Sequence, residues 1–211
     1  QQLNLSLPVV ANAAVGQGSW VFFFGMVENL GPRALAVSNL ARTVYLLLSI
    51  PMWGFSSGAN TLVSNLIGQS RHREVLPAAW KIARFCWGIS MIIAVPILLF
   101  PGKILYPLLG KSDMSLIGET QPVFYLLLLI LSLATVGVVF MNTLAGTGAT
   151  WFGLKLQAIT VFIYLGYLFV ITNFTTLGLL WVWAAEVLYW LVMIALVLYY
   201  LRTERWHAMN F

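Results

Sequence analysis

A water-facing domain carries about a quarter charged residues, so a chain of 211 residues that is 61% hydrophobic and only 8% charged does not make an ordinary soluble surface; its solvent is lipid. The net charge of +5 arises from basic residues flanking apolar runs, not from a Lys/Arg stripe interleaved with solvent-facing aromatics, which excludes a nucleic-acid groove. One cysteine, Cys86, excludes a disulfide within the chain and a thiolate metal cluster.

A bilayer core about 30 Å thick needs about 20 apolar residues at 1.5 Å of helical rise each. Six runs meet that length, at approximately 8–27, 43–66, 82–100, 122–144, 152–171 and 179–201. The first is too long for the core of a signal peptide and has no A-x-A cleavage site, so it reads as a spanning helix. The chain opens on Gln1 and not on Met, as expected of a segment of a longer protein. The connections near 146–151 and 172–178 are short, and short connections make successive helices antiparallel neighbours. The predicted fold is therefore an all-α membrane protein, a single six-transmembrane-helix up-and-down bundle over residues 1–211. Arg71, Arg73, Lys81, Arg84, Lys155, Arg202 and Arg205 collect on one side, against Arg33, Arg42, Lys103 and Lys111 on the other. The richer side is expected to be cytoplasmic, which puts both termini there.

Polar residues within the runs are expected to face protein or a water-filled cavity, because unpaired polar groups in hydrocarbon are costly. In the first predicted helix, Asn12, Gly16 and Ser19 share a face, whereas Gln17 lies about 140° from Asn12. In the second, Pro51 falls near the middle, followed by Gly54 and Gly58, and is a hinge candidate or a static kink. Trp53, Ser56, Ser57, Asn60 and Ser64 recur there with helical spacing and form one stripe. Ser132, Thr135, Val139 and Asn142 do the same in the fourth, Gln157, Thr160 and Tyr164 in the fifth, and Glu186, Tyr189, Trp190 and Met193 in the sixth. Each stripe has two readings, hydrogen-bonded packing between helices or the wall of a cavity.

Glu186 is the only acidic residue well inside a predicted span. A charge at the bilayer centre costs about 2.5–3.5 kcal/mol on insertion scales, so it needs a partner, a proton or water. It is a coupling candidate, with snorkelling or a structural hydrogen bond as the alternatives. His72 in a basic loop and His207 in the tail do not complete a catalytic or metal site, and no enzyme is expected.

The run from Ile50 to Gln69, Ile-Pro-Met-Trp-Gly-Phe-Ser-Ser-Gly-Ala-Asn-Thr-Leu-Val-Ser-Asn-Leu-Ile-Gly-Gln, resembles the second helix of a lobe in the multidrug and toxic compound extrusion (MATE) transporters. Leu30-Gly31-Pro32-Arg33-Ala34-Leu35-Ala36 resembles the Leu-Gly-x-x-Ala-Leu-Ala entry to that helix, and the segment from Asn142 to Thr150 resembles the end of the family's tenth helix. The motifs occur in family order from about Pro8 to Arg202. The resemblance implies a C-terminal six-helix lobe, the second half of a twelve-helix protein, located in a bacterial inner membrane. It implies export of small organic, often cationic compounds in exchange for Na⁺ or H⁺, by rocking of two lobes about a central cavity. The implied partners are the lipid bilayer, a missing N-terminal lobe or a second copy of the chain, and the substrate.

Gln17, Trp53, Asn60 and Asn142 are the cavity-lining candidates under this resemblance, because they project from helices placed at the lobe interface. The chain departs from the family where some members carry an embedded Glu on the seventh helix and an Asp on the tenth; here Gln17 and Ala134 stand nearest. Neither exchanges a proton in the physiological range. Glu186 has no counterpart in the family pattern. A lipid-linked oligosaccharide flippase of the same superfamily, a homodimeric half-size transporter and a non-transporting scaffold are the competing readings; more basic side chains in the cavity would favour the flippase.

Overall fold

The computed structural model describes residues 2–104, 114–203 and 206, and Lys111, Arg205 and His207 lie outside that set. The helices are α1 (Gln2–Glu28), α2 (Pro32–Leu48), α3 (Ile50–Gly68), α4 (Val75–Leu99), the single turn α5 (Pro101–Ile104), α6 (Met114–Gly146), α7 (Thr150–Phe174) and α8 (Leu179–Arg202). A 3₁₀ turn, His72–Glu74, leads into α4, and there are no strands among the described residues. Among the described residues five helices are long and apolar enough to cross a membrane, or six if α2 and α3, bent by 45° where they meet, are counted together as one broken span.

That bend corrects the predicted second helix, 43–66, which straddles a break at Ser49. Residues 32–42 read as a gap because Arg33, Asn39 and Arg42 dilute the hydropathy, yet they are helical. Gly31, at φ 103°, turns the chain, and Pro32 opens α2 where its missing N–H is no loss. Pro51 then stands at the start of α3 and not in mid-helix. It has no N–H with which to carry the hydrogen-bond ladder of α2 across the bend. The end of α2 closes through Ser49, whose N–H reaches Tyr45 O at 2.9 Å and whose hydroxyl donates to Leu46 O at 2.7 Å. The other helices extend past their predicted runs, α4 starting at Val75 and α6 at Met114, because hydropathy marks the hydrocarbon thickness and not where backbone hydrogen bonding stops.

The order of helices around the bundle also departs from chain order. The central α6 packs against α2, α3, α4 and α8, while α7 packs on α1 and α8 and shares few contacts with α6 despite the short turn between them. Phe124, Leu127, Ile130, Leu131, Ala134, Phe140 and Leu144 of α6 are fully buried, as expected of a helix apolar on every side. Lipid offers no hydrophobic drive for helices to associate, so close packing and interhelical hydrogen bonds must hold them. At Gly146 the backbones of α6 and α3 approach so closely that a Cβ would lie 2.7 Å from the carbonyl oxygen of Asn60. Trp87 Nε1 donates to Ser132 Oγ (2.6 Å), Trp183 Nε1 to Ser38 Oγ (3.1 Å) and Ser64 Oγ to Gly146 O (3.2 Å). Ser132 and Ser64 thus serve as interhelical contacts, whereas Thr135 and Thr160 bond back to the carbonyls of Leu131 and Leu156 in their own helices.

Candidate functional site

A cavity of about 350 Å³ lies between α1, α2, α3, α6, α7 and α8. The α1 wall is built from Val9, Asn12, Ala13, Gly16, Gln17 and Trp20, the spacing of one continuous helical face. Asn12 and Gln17 sit on opposite edges of that face, so their angular separation does not send Gln17 to a different neighbour. Trp53 and Asn60 enter from α3, Asn142 from α6 and Glu186 from α8, so all four cavity-lining candidates and the coupling candidate share one wall surface. Ala134 is fully buried in the α6 core and is not part of it.

These groups differ in how free they are to meet a ligand. Asn142 Nδ2 donates to Val138 O at 3.0 Å, leaving its carbonyl oxygen as the more available end. Trp53 is 59% exposed, its indole N–H directed to Ser49 Oγ at 3.3 Å, so it presents a large aromatic surface at the break between α2 and α3. Gln157 and Tyr189 join α7 to α8 through contacts of 2.8 and 3.1 Å between the amide and the phenol oxygen. Gly16 of α1 faces this pair, and a Cβ there would stand in ordinary contact, 3.4 Å, with Gln157 Nε2.

Glu186 is 6% exposed, which rules out snorkelling to the membrane surface. Its Oε1 accepts a hydrogen bond from Tyr164 at 2.9 Å, and no other hydrogen bond to its carboxyl is made among the described residues.

Sequence reasoning missed Arg42, which it counted only as a basic residue flanking the predicted second helix. The residue is on α2 and lines the cavity, its guanidinium 5.7 Å from the ring centre of Trp20 and 5.3 Å from that of Phe24. Its signal was present but misread: Arg42 and Tyr45 stand three apart on α2, a helix whose Arg33, Asn39 and Arg42 interrupt the apolar run. A second cavity, about 580 Å³, adjoins the first at Val9, Asn60, Ala145 and Thr150 and extends along Ser64, Ile67 and Gly148 towards the α6–α7 turn.

A family model described as MatE matches residues 8–171. No curated protein matches the chain. Among solved structures, it is similar to the outward-facing conformation of a multidrug resistance MATE family transporter of the MOP superfamily, with a TM-score of 0.84 and 19% identity over 96% of this chain and 45% of that one. It is similar to an inward-facing conformation of a transporter so described, with a TM-score of 0.82 and 19% identity over 96% of this chain and 47% of that one. A MOP superfamily transporter from Pyrococcus furiosus, described by a reverse polarity of its binding pocket, matches with a TM-score of 0.75 and 18% identity over 96% of this chain and 44% of that one. The chain thus spans just under half the length of these structures. At such identities the likeness speaks for the fold, while the family model covers most of the sequence; the chain belongs to the MatE family of membrane transporters, not to an enzyme family, and it has the fold of one lobe.

Proposed function

We propose that this lobe is the C-terminal half of a cation-coupled antiporter of a bacterial inner membrane, with both termini cytoplasmic, that exports small organic compounds by alternating access. The carrying observation is the cavity, where Gln17, Trp53, Asn60 and Asn142 meet one buried carboxylate, Glu186. Amides and an indole face suit a planar organic cation, which needs polar anchors and an aromatic surface more than a matched shape. The remaining wall comes from an N-terminal six-helix lobe, or from a second copy of this chain.

Glu186 is the coupling group in this reading. A carboxylate can hold a proton or neutralise Na⁺, and occupation by either changes the charge that an organic cation meets in the same cavity. Exchange follows when the two occupants compete. The similar match to outward- and inward-facing structures, at TM-scores of 0.84 and 0.82, supports a lobe that keeps its internal fold while it rocks. Pro51, beside the 45° bend, is where flexing would cost least, because it has no N–H to bond back across the bend.

The test is efflux of a fluorescent organic cation from proteoliposomes holding the complete transporter, with Na⁺ and pH gradients imposed separately. Efflux driven by either gradient, and lost in Glu186→Gln, is the expected result. Efflux indifferent to both gradients would overturn coupled export. Arg42 favours the flippase as a second reading, since it adds a basic group to the cavity. A single guanidinium is a sparse match for a polyanionic lipid-linked head group, and flipping of a labelled lipid-linked sugar with no efflux of the cation would select that reading.

A further inference from the structure

We infer that the cavity recognises a zwitterionic organic molecule, seating an anionic group, carboxylate or phosphate, on Arg42 and a cationic group towards Glu186. This rests on reading the cavity as the substrate site. The first support is the state of Arg42. Arg42 lines the cavity, and its guanidinium, over Trp20 and Phe24, makes no hydrogen bond or ion pair among the described residues; the ion pairs there, Arg33–Glu119 and Arg71–Glu74, lie elsewhere. Arginine does not discard its charge by losing a proton, so in a membrane-embedded cavity it needs water or an anion.

The second support is its orientation. Trp20 and Phe24 engage the guanidinium, and Trp20 is itself braced by Phe23, Tyr45 and Trp183 at centroid distances of 5.6, 6.0 and 6.1 Å. Trp183 is fully buried and fastened to Ser38 Oγ at 3.1 Å, so the platform beneath Arg42 is braced from the core. Aromatic contacts leave the N–H donors unused, and their planar fork suits two oxygens of one anion. The third support is that Glu186 lines the same cavity from α8 without pairing to Arg42. A purely cationic ligand meets repulsion at Arg42 and a purely anionic one at Glu186. A zwitterion satisfies both, with its apolar body against Trp53.

Two dyes with one aromatic skeleton separate the cases: a rhodamine carrying a free carboxylate beside its cationic ring system, and the methyl ester of the same dye, a cation only. Equilibrium binding to the solubilised complete transporter is read by fluorescence anisotropy. Arg42→Gln is expected to weaken the zwitterion about tenfold or more, as loss of a charge-assisted hydrogen-bond pair implies, and to leave the ester unchanged or more tightly bound, since the repulsion it met is gone. Arg42→Lys, which keeps the charge and loses the fork, is expected to lower the zwitterion-to-ester preference part of the way, and it serves if the glutamine variant does not fold. Equal weakening of both dyes, an unchanged preference in Arg42→Lys, or no binding of the zwitterion by wild type overturns the inference. Failure of the export reading looks different: both dyes bind, and neither moves under any gradient.

Discussion

Tyr164 of α7 donates its hydroxyl proton to Oε1 of Glu186 on α8 across 2.9 Å, so the one buried carboxylate among the described residues is also a link between two helices. Tyr164→Phe removes that donor and leaves the carboxyl short of a partner, which is expected to cost about 1–3 kcal/mol of stability. Glu186→Gln keeps an acceptor for Tyr164 and is expected to cost less, while abolishing gradient-driven efflux. Thermal melting of the two variants in detergent, set beside their efflux, checks the pair. A larger melting loss for Glu186→Gln would count against the hydrogen bond as the link.

The crossing of α3 and α6 at Gly146 is expected to be intolerant of one methyl group. A Cβ there stands 2.7 Å from Asn60 O and 3.0 Å from Val63 Cβ, and the first of these is backbone that cannot rotate away. Gly146→Ala is expected to destabilise by about 1–3 kcal/mol, the usual range for overpacking. Gly58→Ala on the same α3 is the control, because its Cβ meets nothing within 4 Å. A melting temperature for Gly146→Ala equal to that of Gly58→Ala would show that the helices separate freely.

Pro51→Ala restores an N–H that can reach Leu47 O and so favours continuous helix through Ser49. If the bend flexes during transport, the variant is expected to slow efflux by several-fold while leaving equilibrium binding of substrate within about twofold, since Pro51 does not line the cavity. Matched losses in rate and affinity would instead mean that the bend sets the static shape of the cavity and does not flex.

Composition and run length were enough to read the membrane solvent and most spans, because apolar length is a direct measure of hydrocarbon thickness. The break at Ser49 was not legible. Pro51 marked it, yet the polar residues of α2 pulled the apolar window towards residues 43–66 and put the proline in its middle. Periodicity brought Trp53 and Asn60 onto one face of α3, and Asn12 and Gly16 onto one face of α1, as the cavity has them. It could not bring Arg42 into the cavity, because a residue left outside the predicted run was given no helical face. Nor could it reveal that α8 separates α7 from α6, since that depends on which side chains interlock and not on the length of a connection.

Trp53 and Gln17 are expected to separate binding by surface from binding by a single polar contact. Trp53 is 59% exposed as a residue, and its indole N–H is already directed at Ser49 Oγ. Trp53→Ala therefore removes stacking and cation–π attraction, worth about 1–2 kcal/mol, and is expected to weaken an aromatic cation about tenfold. Trp53→Phe keeps a ring and loses the N–H, so it is expected to recover most of the affinity. Gln17 has no hydrogen bond among the described residues to give up before it meets a ligand. Gln17→Ala is expected to cost about threefold to tenfold, the value of one neutral hydrogen bond. Anisotropy titrations of the same dye on the three variants rank them. If Trp53→Phe is as weak as Trp53→Ala, the indole N–H carries the contact and the stacking account of this wall fails.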